Sequence, residues 1–531
     1  MGTVLTPILS ATKGTDRAYN LGMAETYSWV PVEGPALGRP LYARASYVTN
    51  FSDMSIYLSA SELSIGAVTI KDNNSGLNAD VVNIPDYGAG LQVLTQDLQS
   101  DIDDITIGDK QGHYSTVNPY NSSLNISIAD GPVNDAFGRL RTSQPTTLID
   151  TKHLYNKLSN VFDEVIFGNA SSSFVQHDSL VLMSTTSPGD YVIRQTWNHF
   201  NYEPGKSLQA FFTFVAPKQS DSVKRIGLFQ SLSAHPYEPS DGIFLEINGN
   251  DVYFKMVKAQ GTNHSMTIPQ SAWNVDKFDG TGKSGLTLDF SKSQIFTIDY
   301  EWLGVGRARL GFVFNGQIYY AHYENHYNNI EAPYLTSPNQ PIRYELRQTG
   351  AGGAGSFLKH ICSTVLVEGG ETGAGQSITV ATSAAVAIDS TSYKPIIFLR
   401  SNPIAHDATS YIKQLEFVNL DQYAVHFVLM SLKNSNLVST LNWTNADSSS
   451  MQYAIGNTQT IDLSAGVNVY GGYISGSGQN KVTTESSSII PAKIAQFGIG
   501  INGREEVFAI VGKSFGGNTT VLGVVNMIER T

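Results

Sequence analysis

Glu246, Asp299, Glu301 and Glu345 are the acidic residues best placed for work on a sugar, since each falls in or beside an alternating apolar run. Glycoside hydrolysis needs two carboxyl groups held at a set separation across the scissile bond, one protonated and one ionised. Neighbouring strands could bring two of the four together, but sequence sets no distance between them. Solvated strand faces account for them equally well. A serine esterase is not expected. Two glycine-rich stretches resemble phosphate loops by letter. Gly350–Gly355 fits G-x-G-x-x-G, yet the following Ser356–Ile361 reads as a strand, and a dinucleotide's pyrophosphate rests on a helix N-terminus. Gly280-Thr281-Gly282-Lys283-Ser284 matches the end of a P-loop, with Lys277 where the first glycine belongs. Both read as turns.

Asp276 and Asp279 could offer oxygens to calcium, but their spacing is not that of an EF-hand, and turn formation is the simpler role. His322 and His326 are four residues apart, which joins side chains on a helix but not on the strand expected there. The single cysteine, Cys362, excludes an intrachain disulfide and a cysteine-based zinc site. Its apolar setting, Leu358–Val367, predicts a buried, inert thiol. No enzyme activity, cofactor or metal is expected. The 26 Tyr and 24 Phe are the remaining lead, with Tyr319, Tyr320, Tyr323 and Tyr327 clustered. Core packing takes most of them. Rings left exposed beside polar groups would suit stacking on the apolar faces of sugars.

The elements that must position these residues are strands. Phe296, Ile298, Tyr300 and Trp302 alternate with Thr297, Asp299 and Glu301, the period of a strand with one buried face. Ala308, Leu310, Phe312 and Phe314 repeat it and run into Asn315-Gly316, a strong hairpin signal. Asn248-Gly249 marks a second hairpin between Ile243–Ile247 and Val252–Val257. The chain is therefore expected to be all-β, with β-sandwich (jelly-roll or concanavalin-like) domains. An N-terminal attachment region, 1–130, is irregular and mostly β. It has one helical spacing, at Leu91, Leu94, Leu98, Ile102 and Ile105. Residues 131–367 form the first sandwich. Residues 368–531 open on a glycine-rich break and supply strands for a second, or complete the first. Ser475–Ser488 reads as an exposed loop.

At 531 residues the chain is too long for one core. Only 15% of it is charged and the net charge is −12, without a basic run, which argues against nucleic acid and anionic membranes as partners. No apolar stretch reaches the ~20 residues that span a bilayer, and Met1–Thr6 lacks the charged and apolar regions of a signal peptide. Synthesis in a cytoplasm without export or membrane insertion is expected.

Four motifs, in order, carry a resemblance. They are Asn134-Asp135-Ala136-Phe137-Gly138-Arg139-Leu140-Arg141-Thr142-Ser143, the stretch Trp273–Gly285, the stretch Glu301–Phe312, and Pro341–Leu346. Together they resemble a family of tail-fibre-like virion structural proteins of tailed phages, notably of cyanobacteria, and of large algal viruses. The match spans roughly 134–367 and, more loosely, the C-terminal zone. It implies a virion subunit, assembled in the host cytoplasm with other tail, baseplate or capsid proteins. By analogy with such fibres it implies a homotrimer that contacts a host-surface polysaccharide. Capsid decoration or head-fibre protein and glycan depolymerase stand as alternatives. Phe137, Arg139, Arg141, Trp273, Trp302, Arg307 and Arg309 are the motif residues expected to carry structure and assembly. Arg139 and Arg141 suit an extended arm pinned to a neighbouring subunit. Arg307 and Arg309 should project from the face opposite Ala308 and Leu310.

Overall fold

In the computed structural model the chain separates into two compact units, 1–129 and 130–531. Side chains are described for residues 135–136, 141, 145–258, 261, 264–351, 355–370, 375–402, 408–433, 440–456, 459–476, 496–501 and 503–530; the strands of residues 1–129 and Lys481–Glu485 are described as backbone. The first unit contains short antiparallel pairings, among them Val30–Glu33 with Pro40–Ala43 and a three-stranded sheet of Tyr57–Ser59, Gly88–Gln92 and Asp80–Ile84. Ser123–Leu124, Tyr114–Asn118, Asp104–Gly108 and Ala67–Lys71 make a four-stranded sheet. The helix expected from Leu91 to Ile105 is corrected at both ends: Leu91 and Ile105 lie in strands, while Leu94, Leu98 and Ile102 lie outside the described residues. Acidic residues at the end of that stretch oppose a helix dipole and are tolerated by a strand.

The second unit is all-β, as the alternating runs require. Its first sandwich packs an eight-stranded sheet on a seven-stranded one. The eight-stranded sheet runs Ser171–Val175, Leu180–Thr185, Ser356–Val367, Leu208–Val215, Gln294–Tyr300, Arg307–Phe314, Gln317–Asn325, with Thr146–Lys152 beside Ser356–Val367. The seven-stranded sheet runs Phe162–Phe167, Tyr191–Thr196, Ile342–Gln348, Ser222–Gln230, Asp241–Asn248, Asp251–Val257, Met266–Pro269. Alternation decides what goes inside: Phe296, Ile298 and Tyr300 enter the core while Thr297 and Asp299 point to the opposite face. Phe212, Phe254, Phe296 and Phe312 stack through the centre.

Both hairpins form, with different turns. Asn315 and Gly316 have φ of +50° and +81°, as a type I′ turn demands. At the other, Asn248 stays in its strand and pairs with Asp251, so the loop is Gly249-Asn250. There only Gly249 has a positive φ, +58°, the pattern of type II′.

The strands from Gln376 to Arg530 form sheets of their own. One has five strands and includes Thr409–Asn419 and Thr519–Arg530; the other has six, ordered Thr444–Asn445, Met451–Ile455, Lys394–Ser401, Val507–Ser514, Val425–Leu432, Val467–Ile474. Ile412, Leu415, Phe417, Phe427, Ile510 and Val525 fill the space between them. The outer face of the six-stranded sheet carries a smaller core, Val428, Met430 and Val511, on which Leu441, Trp443 and Leu463 pack. The Ser475–Ser488 loop reading is corrected: Lys481–Glu485 is a strand paired with Gln414–Val418. Its alternating Val482 and the β-branched Thr483 and Thr484 supply the propensity that the surrounding Ser and Gly conceal.

Candidate functional site

The motif residues of the sequence come together as scaffold. Arg309 is fully buried and pairs with the equally buried Asp299, which also accepts from Ser207 and, at 3.2 Å, from Tyr320. Arg141 reaches the same carboxylate at 2.5 Å, and bonds Glu368 at 2.5 Å and Gln209 at 2.9 Å. Arg141 is thus held by its own chain's sandwich. Arg307 points the same way as Arg309, opposite Ala308 and Leu310, and donates to the Ala136 carbonyl at 2.6 Å. Trp273 lies in the core, 4.2 Å from the Phe254 ring and parallel to it. Trp302 donates to the Leu335 carbonyl at 3.1 Å. Phe137 and Arg139 lie outside the described residues.

The four sequence-selected carboxylates are buried. Glu345 is fully buried between Arg343 and Arg225, each at 2.6 Å, and Arg347. Burial alone would raise its pKa, but these three guanidinium groups hold it well below the usual carboxylate range. Glu246 binds Arg225 and Lys255, both at 2.7 Å. Asp299 is tied as described, and Glu301 is also buried. Asp276 accepts from the Phe278 and Ser284 amides at 2.9 and 2.7 Å, and Asp279 from Thr281 at 2.9 Å, so both build turns. Among the described residues no cluster of three or more His, Cys, Asp or Glu could hold a metal. Cys362 is half-buried, facing a shallow groove on the eight-stranded sheet with Phe211, Ile295 and Val313, where full burial was expected.

An accessible set of chemical groups lies instead on the outer face of the six-stranded sheet, beyond the end of the apolar stripe. The ladder places Tyr473 opposite His426, and His426 opposite Lys513. Tyr393, just before its strand begins, completes the row, with the Lys513 ammonium 6.0 Å from its ring centre. Phe515 follows Lys513 on the same face, its ring 5.9 Å from that of Tyr473. Tyr473 is 66% exposed and Phe515 51%. Aromatic rings that open to water forfeit burial, so a contiguous pair is a candidate contact surface. Four strand positions cover roughly 14 Å at the ordinary spacing.

Polar groups sit among the rings. The Tyr393 hydroxyl and His426 Nδ1 are 2.7 Å apart, which turns Nε2 away from that bond. Partial burial lowers the His426 pKa, so the ring is neutral near pH 7 and either tautomer serves a hydroxyl. Gly471 keeps this edge open: a β-carbon there would stand 3.6 Å from Nε2 and 3.1 Å from the Phe427 carbonyl. The arrangement can stack a flat apolar ring face and hydrogen-bond groups at its rim.

No family model matches the chain, and no curated protein matches it. Among solved structures it is similar to the Emp47p carbohydrate recognition domain, at 12% identity over 42% of this chain and 96% of that one, with a TM-score of 0.28. A Bacillus licheniformis β-glucanase gives 14% identity over 42% and 98%, TM-score 0.28. A legume lectin-like domain from Entamoeba histolytica gives 11% over 42% and 98%, TM-score 0.28.

Sequence reasoning missed the aromatic row. Its members are separated by up to 122 positions between Tyr393 and Phe515. The one local signal is Tyr470-Gly471-Gly472-Tyr473, where glycines in a strand weaken packing and mark close approach or an opened surface.

Proposed function

We propose that this chain is a virion appendage subunit that binds a host-surface glycan without cleaving it, using the aromatic row of the C-terminal sandwich. The single observation carrying this reading is the exposed Tyr473–Phe515 pair beside the neutral His426 and the Tyr393 hydroxyl. That combination suits the apolar face and rim hydroxyls of a sugar. The ion-paired state of Glu246, Asp299 and Glu345 fits binding better than hydrolysis. The low charge and the motif resemblance support placement in an assembly, as a trimeric tail-fibre part attached through 1–130. The test is titration of the full chain with lipopolysaccharide or capsular polymer from candidate hosts. Tyr473→Ala and Phe515→Ala should each weaken binding at least tenfold and release no reducing ends. Equal affinity of both variants and the parent would sink the assignment of the row.

A further inference from the structure

A cleft of about 630 Å³ lies between the two sandwiches, within the size range of small-ligand sites. Its aliphatic lining comes from both: Leu148 and Val161 from the first, Val467 and Val469 from the second. Around these stand amides, Asn160 and Asn198 on one side, Asn468 and Gln496 on the other. The Asn160 and Asn468 side chains are exposed there and hold no partner among the described residues. Gln496 gives its nitrogen to the His199 carbonyl at 2.8 Å, leaving its oxygen as an acceptor.

The ionisable groups in the cleft already have partners. Lys433 lies 3.3 Å from Glu506, donates to the Asn160 carbonyl, and sits 5.2 Å from the Trp197 ring centre. Glu506 also accepts from Ser431 and from the Gly498 amide at 3.1 Å, and burial pushes its carboxyl up toward the neutral form. Asp150 has Lys152 at 2.5 Å. An anionic or cationic ligand would have to break one of these pairs, whereas a neutral one need not. Amide donors and acceptors over aliphatic walls suit hydroxyl and acetamido groups on a compact carbon ring.

The walls are fixed before any ligand arrives. Arg504 and the Ile501 amide hold Asp163 at 2.5 and 2.8 Å across the junction. Gly498 and Gly500 pack so closely on Trp197 that β-carbons would approach it to 2.8 and 2.7 Å. A preformed cleft spares a ligand the ordering cost of closing it.

We infer that this cleft is a second site, separate from the aromatic row, for a short neutral saccharide. It does not rest on the row's assignment. The test is saturation-transfer NMR and calorimetry of the full chain with glucose, galactose, mannose, N-acetylglucosamine, lactose and maltose, with glucuronate and N-acetylneuraminate as charged comparisons. At least one neutral sugar should bind with a Kd in the millimolar range or tighter. Asn468→Trp, which fills the cleft from an exposed position, should abolish that binding with Tm unchanged. Asn160→Ala should weaken it severalfold. Tyr473→Ala should leave it intact while losing polymer binding, which separates the two sites. Absence of binding by every neutral sugar, unchanged binding in Asn468→Trp, or tighter binding of the charged sugars would each overturn the inference.

Discussion

At the scale of single residues, burial rather than motif sets the chemistry of the ionisable groups. Lys224 is fully buried on the strand Ser222–Gln230. It donates to the Pro217 carbonyl and, at 2.7 Å, to Gln219 Oε1, and no carboxylate forms an ion pair with it among the described residues. Desolvation brings its pKa down to about 7 from 10.5. The folded value lies below the unfolded one, so between those limits the unfolded chain holds a proton that the folded chain has released. Stability therefore rises as pH climbs from about 7 to 10.5, and the full penalty, on the order of several kcal/mol, applies below pH 7. Lys224→Met should raise Tm by several degrees at pH 7, and the gain should shrink to little near pH 10.5. A variant that melts no higher than the parent at pH 7 would contradict this account.

Among the elements, strands were legible wherever alternation was strict. The run from Phe296 and the hairpin at Asn315-Gly316 could be read directly, because a half-buried strand imposes its own period. Pairing could not be read. Ser356–Val367 lies between Leu208–Val215 on one side and Leu180–Thr185 with Thr146–Lys152 on the other, partners more than a hundred residues away. The aromatic row stayed hidden for the same reason: sequence shows a strand's outward residues but not which strands stand beside it. Arg141 is the intermediate case. Its alternation with Leu140 marked an extended arm, and only the fold supplied Asp299 and Glu368 as its anchors. Arg141→Ala should lower stability by up to about 3 kcal/mol, since a partly buried charge is removed from two carboxylates. Arg141→Lys should recover only part, because an ammonium cannot span Asp299, Glu368 and Gln209 in the guanidinium's fork geometry. Limited proteolysis should show faster cutting between 130 and 145 in the alanine variant. Parent-like Tm and cutting rate would leave the arm without its proposed pin.

For residues 130–531 as a whole, the question is whether two sandwiches with separate cores behave as one body. Each has an apolar core of its own, with aromatic layers around Phe254 and Phe312 in the first and Phe417 and Phe427 in the second. What joins them includes the Asp163–Arg504 pair, the Gln496–His199 and Lys433–Asn160 bonds, and Trp197 seated on Gly498 and Gly500. At Gly500 a β-carbon would stand 2.4 Å from Asp163 Oδ2 and 2.7 Å from Trp197 Cζ3. Neither neighbour can yield freely, since Asp163 is held by the Ile501 amide and Trp197 is only 2% exposed. Gly500→Ala therefore strikes the junction and leaves both cores untouched. Calorimetry should find the two sandwiches of the parent melting in a single transition and those of Gly500→Ala in two, the separated sandwiches unfolding independently. The same variant should lose the cleft's saccharide binding and keep the aromatic row's, because the cleft has walls from both sandwiches and the row lies wholly within one. Melting of the two parent sandwiches in separate transitions, or an unaltered single transition in Gly500→Ala, would show that these contacts do not couple them.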